Sequence, residues 1–118
     1  MTPTSRSLET LRNDGYYAQV VEKWNSFAKI RIDLFGGIDI LAVKIGIYGC
    51  LGIQTTSTGN INARVQKLAS IPAIKAFLLA GNRLVVWGWA KRGPRGSRKT
   101  WTLKEREIKA DECVEIVH

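Results

Sequence analysis

An aspartate and a group of oxygen-bearing side chains interrupt two neighbouring apolar runs of the sequence. Asp39 lies within GIDILAV, residues 37–43, and the next run, CLGI, ends at Gln54-Thr55-Thr56-Ser57. A carboxylate buried in a strand is costly unless a partner compensates its charge. The natural partner for a carboxylate beside amide and hydroxyl oxygens is a metal ion. The sequence therefore predicts a metal site that joins Asp39 to residues 54–56.

Further carboxylates are available to complete such a site. Asp33 precedes Asp39 by six residues, and this even spacing puts both on one face of a regular strand unless Gly36-Gly37 interrupts it. Glu22, at the end of an earlier predicted strand, and Glu9, in a predicted helix, are the other candidates. These hard oxygen ligands favour Mg²⁺ or Mn²⁺.

Missing residue types exclude several kinds of chemistry. The chain has one histidine, His118, so Ser-His catalysis, Cys-His catalysis and most zinc sites are not expected. It has neither a Walker-type nor a dinucleotide-binding glycine motif. Cys50 and Cys113 lack metal-binding spacing and fit a reducing, cytoplasmic location. Any catalysis is expected to use carboxylates, lysines, hydroxyls and a hard metal.

Length and charge favour one domain with an anionic partner. The 118 residues, expected to form a single domain over 1–118, include 18 Lys and Arg against 10 Asp and Glu, a net charge of +8. Such an excess is typical of proteins that bind nucleic acid or an anionic membrane surface, although a basic protein without either partner shares it. No apolar run approaches the ~20 residues of a membrane span, and the N-terminus has no signal-peptide pattern.

Positive charge is concentrated near the end of the sequence. Residues 91–106 hold seven of the 18 basic residues. The loop 91–99, KRGPRGSRK, is expected to act as a DNA-contacting arm, although a solvated hairpin tip has the same composition. Five of the seven lie in the arm, and two lie on the strand that follows it: Lys91, Arg92, Arg95, Arg98 and Lys99, then Lys104 and Arg106. Trp101 beside the arm could stack on an exposed base, whereas Trp87 and Trp89 are expected to pack in the core or a dimer interface.

Apolar periodicity predicts an α/β fold with a mixed central sheet flanked by helices. The predicted helices cover residues 5–13, 58–70 and 72–81, and the first is expected to be capped by Ser5 or Ser7. The predicted strands cover residues 16–24, 30–43, 50–56, 83–91 and 100–108. Residues 30–43 form either one long strand or two pieces bent at Gly36-Gly37. The apolar stretch 38–43 indicates cover on both faces of the sheet.

This element order and these motifs resemble the PD-(D/E)xK phosphodiesterase superfamily, in its small branch of Holliday-junction-resolvase-like endonucleases. In that family an Asp begins the second core strand and an E-x-K follows on the third. Asp39 matches the first position, and Gln54-Thr55-Thr56 stands where E-x-K is expected. The resemblance covers residues 5–90. It implies a restriction-endonuclease-like αβββαβ core and a metal held by Asp39, Gln54, the Thr55 carbonyl and Asp33.

The sequence departs from the family by carrying Q-x-T in place of E-x-K. The glutamine carbonyl can still face a metal, but Thr56 cannot supply the charge of the family's lysine, which orients the attacking water. Lys67 or Arg64 on the following helix, or Lys44 after the Asp39 strand, could replace it. The resemblance implies catalytic roles for Asp39, Gln54, Thr56, Lys67 and Glu22, while Arg64 is also a candidate contact to nucleic acid.

These features support three hypotheses of function. The first is a Mg²⁺- or Mn²⁺-dependent DNA endonuclease, acting as a homodimer on branched DNA, since a two-fold junction suits two matched sites. The second is a nucleic-acid-binding module on the same fold with a degenerate, inactive centre. The third is a basic structural or interaction protein, such as a phage or mobile-element accessory factor.

Overall fold

The fold is mixed α/β, with three helices and a five-stranded sheet among the residues that the structure describes. This computed structural model of the 118-residue chain describes residues 1–115, so His118 lies outside the described residues. The helices are α1 (Pro3–Asn13), α2 (Ile61–Ala69) and α3 (Pro72–Leu79). The strands are β1 (Tyr17–Val20), β2 (Lys23–Asn25), β3 (Ile30–Ile32), β4 (Ile40–Val43), β5 (Leu51–Ser57), β6 (Arg83–Arg92) and β7 (Thr100–Ile108).

The main sheet has the strand order β1-β4-β5-β6-β7. All neighbouring strands are antiparallel except β5 and β6, which run parallel and are joined through α2 and α3. Strands β2 and β3 form a separate two-stranded hairpin. The sheet is therefore mixed, as the sequence predicts. Within residues 1–115, no helix has the length and apolar character needed to cross a bilayer.

Helices cover both faces of the sheet, as the apolar stretch 38–43 indicates. On one face, Leu11 of α1 packs with Ile40, Ile53 and Trp87. On the other face, α2 and α3 contribute to a second core whose fully buried members include Ile38, Leu68, Ile74, Leu84 and Val86. Strand β5 is buried from Leu51 to Thr56, which explains its apolar first half and requires its polar second half to find partners.

Helix α1 begins two residues before the predicted start. The Thr2 hydroxyl accepts a hydrogen bond from the backbone N–H of Ser5, and proline occupies the first turn. The expected cap at Ser5 or Ser7 was therefore wrong. Ser7 is instead fully buried, and its Oγ accepts a hydrogen bond of 2.9 Å from the indole Nε1 of Trp89. Both Trp87 and Trp89 are buried, which confirms their expected packing in the core.

Two predicted strands are each divided in the structure. The strand expected over 16–24 ends as β1 at Val20, and β2 belongs to the separate hairpin. Residues 30–43 follow the interrupted alternative: β3 ends at Ile32, and β4 begins at Ile40. Between them, a tight turn contains Phe35 and Gly36 at φ values of 54° and 82°. This turn brings Leu34 and Ile38 into an antiparallel bridge.

Close contact at Gly88 sets α2 against the sheet. A Cβ atom at Gly88 would lie 2.6 Å from Cδ1 of Ile61 and 2.8 Å from Cα of Thr58. Only glycine allows this approach, because neither the backbone at Thr58 nor the start of α2 can withdraw easily. Gly88 is also the register partner of Thr56, so the contact fixes the chain just after the Gln54-Thr55-Thr56 segment.

Candidate metal centre

Asp39 enters the sheet immediately before β4 and is only 4% exposed. Its backbone N–H donates to the Ile53 carbonyl at 2.9 Å, and its carbonyl accepts from the N–H of Val21 at 2.8 Å. Its Oδ2 accepts two further hydrogen bonds, from the Gln54 Nε2 at 2.6 Å and the Thr55 N–H at 2.8 Å. The predicted contact between Asp39 and the end of β5 is therefore present in the structure.

Three carboxylates converge at this point. One carboxylate oxygen from each of Glu22, Asp33 and Asp39 lies within 4.8 Å of the others. Glu22 immediately precedes β2, and Asp33 immediately follows β3, so both lie at the base of the hairpin. The strand is interrupted before Gly37, as the second alternative allowed, and the turn through Phe35 and Gly36 brings Asp33 and Asp39 together instead. Glu9 is exposed on α1 and is not part of this acidic cluster.

The environment of Asp39 favours its neutral form. The pKa of Asp39 is raised from 3.8 to about 7, chiefly by burial and also by the negative charge of Asp33, and this is the net shift after the hydrogen bonds from Thr55 and Gln54 oppose it. Glu22 has a counter-ion, because Nη1 of Arg31 lies 3.2 Å from its Oε1. The cluster thus holds more negative charge than Arg31 offsets, which is the electrostatic condition for binding a divalent ion.

The amide of Gln54 gives an independent indication of a ligand. Gln54 is 1% exposed, and its Nε2 is committed to Asp39, but its Oε1 has no hydrogen-bond partner within residues 1–115. An unpartnered buried carbonyl oxygen costs about 1–3 kcal/mol. The amide oxygen and nitrogen have nearly the same shape, so a half-turn of the amide would direct Oε1 towards Asp39. The donor set therefore fits a hard cation.

The two threonines of Q-x-T face opposite sides of the sheet. The Thr55 hydroxyl lies 2.9 Å from the hydroxyl of Thr4 on α1. Because the N–H of Thr55 points to Asp39, its carbonyl points to the same side of β5. Thr56 is 6% exposed and shares the Gln54 face by strand alternation.

The structure does not bring a replacement for the family's lysine into the cluster. Lys67 is exposed on α2 and Arg64 is half-buried there, and within residues 1–115 neither forms an ion pair with the three carboxylates. Lys44 lies beyond the opposite end of β4, where its Nζ is 3.9 Å from Asp14. That position excludes Lys44 as a partner of Asp39. The cation that does reach the cluster is Arg31, which was not predicted although it alternates with Asp33.

The basic arm extends from the same end of the sheet as the acidic cluster. Thr55, which binds Asp39, is the register partner of Trp87 on β6, and Lys91 follows about 13 Å further along that strand. Arg95, Arg98 and Lys99 are exposed in the loop, as expected. The guanidinium of Arg6 lies 3.9 Å from the ring centre of Trp101, and Lys91 lies 5.5 Å from it. Arg6 already covers one face of the Trp101 ring, which limits the base stacking predicted there.

Comparison of the chain with protein-family models, curated proteins and solved structures finds no match.

Proposed function

We propose that this protein is a metal-dependent DNA endonuclease with a PD-(D/E)xK-like, restriction-endonuclease-like core. One observation carries the proposal: a buried carboxylate, Asp39, lies near two other carboxylates and beside the amide of Gln54, whose oxygen has no hydrogen-bond partner within residues 1–115. The element order supports it, since α1, β1, β4, β5, α2 and β6 follow the αβββαβ sequence of that core.

Mg²⁺ or Mn²⁺ would be held by three carboxylates that converge in the fold and by two neutral oxygens of β5, one of which requires a half-turn of the Gln54 amide. The carboxylates of Asp39, Asp33 and Glu22 are the charged ligands, and the Gln54 Oε1 and Thr55 carbonyl are the neutral ones. When bound, such an ion polarises a phosphoryl oxygen and lowers the pKa of water. The hydrogen bond from the Thr55 N–H fixes the orientation of the Asp39 carboxylate, and burial excludes bulk water from it.

The remaining roles follow from charge and position. The exposed cations of the arm contact phosphates and hold the DNA without reading its sequence. Lys67 and Arg64 are the candidates for stabilising developing negative charge from α2, and Thr56 faces the same side as Gln54. A homodimer would present two such centres to a branched substrate. The free thiols of Cys50 and Cys113 fit the cytoplasm, where cysteines remain reduced.

A nucleic-acid-binding module with an inactive centre is the second candidate. It is favoured by the lack of an ion pair, within residues 1–115, between the acidic cluster and either Lys67 or Arg64. A positioned cation that stabilises the transition state is worth a few kcal/mol, so its loss would leave slow turnover or none.

Cleavage assays with Asp39→Asn test the endonuclease proposal. Supercoiled plasmid and a four-way junction are incubated with protein in Mg²⁺, Mn²⁺ or EDTA. We expect metal-dependent cleavage by the wild type and a loss of at least about 100-fold in Asp39→Asn, because a metal ion supplies several kcal/mol of transition-state stabilisation. Asp14→Asn is the matched control, since Asp14 is an exposed aspartate in a different part of the fold.

The alternatives give different results in the same assay. Salt-sensitive DNA binding without wild-type cleavage in either metal would contradict the endonuclease and favour the binding module. Absence of both binding and cleavage would contradict both candidates and leave a basic interaction protein.

A further inference from the structure

The β2–β3 hairpin projects apolar and aromatic side chains into solvent beside the acidic cluster. Trp24 is 58% exposed, Phe27 is 100% exposed, and Ile30 and Ile32 are 54% and 47% exposed. The hairpin pairs with itself and not with the main sheet. A hairpin of this size gains little stability from such exposed residues, which points to a binding role for them.

The register of the hairpin sorts its side chains onto two faces. Trp24 is paired with Arg31, while Lys23 is paired with Ile32, and directly opposed residues share a face. Strand alternation places Glu22 and Asp33 on the Trp24 and Arg31 face. The contact of 3.2 Å between Arg31 and Glu22 agrees with this assignment. One face of the hairpin therefore carries the two carboxylates, then a guanidinium, then an exposed indole.

The distances along this face suit a single nucleotide. Residues two apart on a strand are separated by about 7 Å, so the indole of Trp24 lies one such step beyond Glu22. A phosphate at the acidic cluster would have Arg31 beside it, and its neighbouring base would reach Trp24. Arg31 has donors to spare, because a guanidinium offers five N–H groups and its bond to Glu22 reaches one carboxylate oxygen.

We propose that Trp24 and Arg31 bind an unpaired nucleotide next to the cleaved phosphate, so that the substrate is DNA with an unstacked base, such as a fork, flap or branch. The inference rests on the proposed endonuclease function for cleavage of that phosphate, but the contacts of Trp24 with the base and of Arg31 with the backbone are made by the chain itself and can be compared between variants without the metal. A base inside an intact duplex is stacked on its neighbours and cannot offer its face to Trp24, whereas an unpaired base can.

Charge favours DNA over a second copy of the chain as the occupant. The hairpin carries Lys23, Lys29 and Arg31 among its apolar residues, and the whole chain has a net charge of +8. Two such surfaces repel each other, whereas interleaved cations and aromatic rings are complementary to a nucleic-acid strand.

Binding in EDTA tests this proposal separately from catalysis. Fluorescence anisotropy compares a forked DNA with a blunt duplex of equal length, using the wild type and Trp24→Ala. Stacking on one base contributes about 1–3 kcal/mol, so we expect Trp24→Ala to bind the fork at least about fivefold more weakly and the duplex within about twofold of the wild type. Trp24→Tyr should restore most of the preference.

A second probe reports stacking directly. 2-Aminopurine at the unpaired position should be quenched by the wild type and not by Trp24→Ala. Tyr48→Ala is the matched control, because Tyr48 is another exposed aromatic residue, at 92%, between β4 and β5. It should leave both readouts unchanged.

Three outcomes would overturn the inference. These are a wild type without fork preference, a Trp24→Ala variant that keeps it, and a Trp24→Ala variant that dissociates a dimer while its DNA affinity stays the same. The last result would assign the hairpin to self-association. If the protein never cleaves DNA but shows a fork preference that depends on Trp24, this inference stands and the endonuclease proposal fails. If the protein cleaves DNA and its fork binding does not depend on Trp24, the endonuclease proposal stands and this inference fails.

Discussion

At the scale of single residues, Asp39 combines burial with incomplete compensation of its charge. The hydrogen bonds from Gln54 and Thr55 both reach the same oxygen, Oδ2, and two further carboxylates lie nearby. Replacing buried charges by well-packed apolar residues is often neutral or stabilising, so a stable strand does not require an aspartate at this position. A buried aspartate lowers the free energy of unfolding when no cation is bound. The effect of Asp39 on stability can therefore be measured and reports on the site.

The stability of the protein should depend on pH through Asp39. Its pKa rises from 3.8 to about 7 on folding, so the folded state holds the proton more tightly. The contribution of Asp39 protonation to the free energy of unfolding is on the order of a few kcal/mol. It is fully present below about pH 4 and is lost as the pH rises through about 7. Asp39→Asn should remove this dependence and unfold at higher denaturant concentration than the wild type at pH 7.5.

Urea unfolding at pH 5 and pH 7.5 measures the effect, with Asp14→Asn as the control. Adding Mg²⁺ should stabilise the wild type at pH 7.5, by about 2.7 kcal/mol at 100 times Kd, and leave Asp39→Asn unchanged. Equal stabilisation of both proteins by Mg²⁺ would remove Asp39 from the ligand set.

The residue contacts that could be predicted from the sequence join β4 and β5, which are consecutive strands of the chain. Asp39 and Gln54 could be paired in advance because each interrupts or ends an apolar run. The stacking of Arg6 on Trp101 and the bond from Trp89 to Ser7 could not, because they join elements far apart in the chain. Such pairs depend on helix position and strand register, which periodicity does not specify.

At the scale of elements, the contact between β6 and the start of α2 positions the end of β5. Gly88→Ala should destabilise the protein by about 1–3 kcal/mol, because the added methyl group would overlap Ile61 and the backbone at Thr58. Thermal unfolding measures the loss. Gly59→Ala is the control, since a Cβ there meets nothing within 4 Å and should change the melting temperature little. An unaltered melting temperature in Gly88→Ala would show that α2 can shift freely.

Elements with one uninterrupted pattern were predicted closely. Strand β7 has the predicted bounds, and β5, β6 and α3 differ by one or two residues at their ends. The failures lie where a strand-like pattern continues while the chain leaves the sheet. Residues 16–24 are rich in strand-forming residues throughout, yet the chain departs from the sheet after Val20, and no local signal distinguishes a sheet strand from a hairpin strand.

At the scale of the whole molecule, the basic arm and the acidic cluster occupy different strands at the same end of the sheet. The acids gather where β4 and β5 meet, while the arm extends from the ends of β6 and β7. Replacing Arg95, Arg98 and Lys99 by alanine should weaken DNA binding and reduce the slope of log K against log salt by about 0.9 for each phosphate that the variant no longer neutralises.

Fluorescence anisotropy over a range of salt concentrations measures this slope. Lys44→Ala and Lys75→Ala provide controls, because both lysines lie outside the arm. A slope that does not change in the arm variant would assign the phosphate contacts to other cations.

The placement of Glu22 and Asp33 on either side of residues 23–32 has a mechanical consequence. These two like charges at the base of the hairpin repel each other and tend to separate its strands. A divalent ion bound between them would hold the two strands together. Order in the projecting hairpin and occupancy of the acidic centre would then rise together. Amide hydrogen exchange in residues 23–32 should slow when magnesium is added, without any change in the five-stranded sheet.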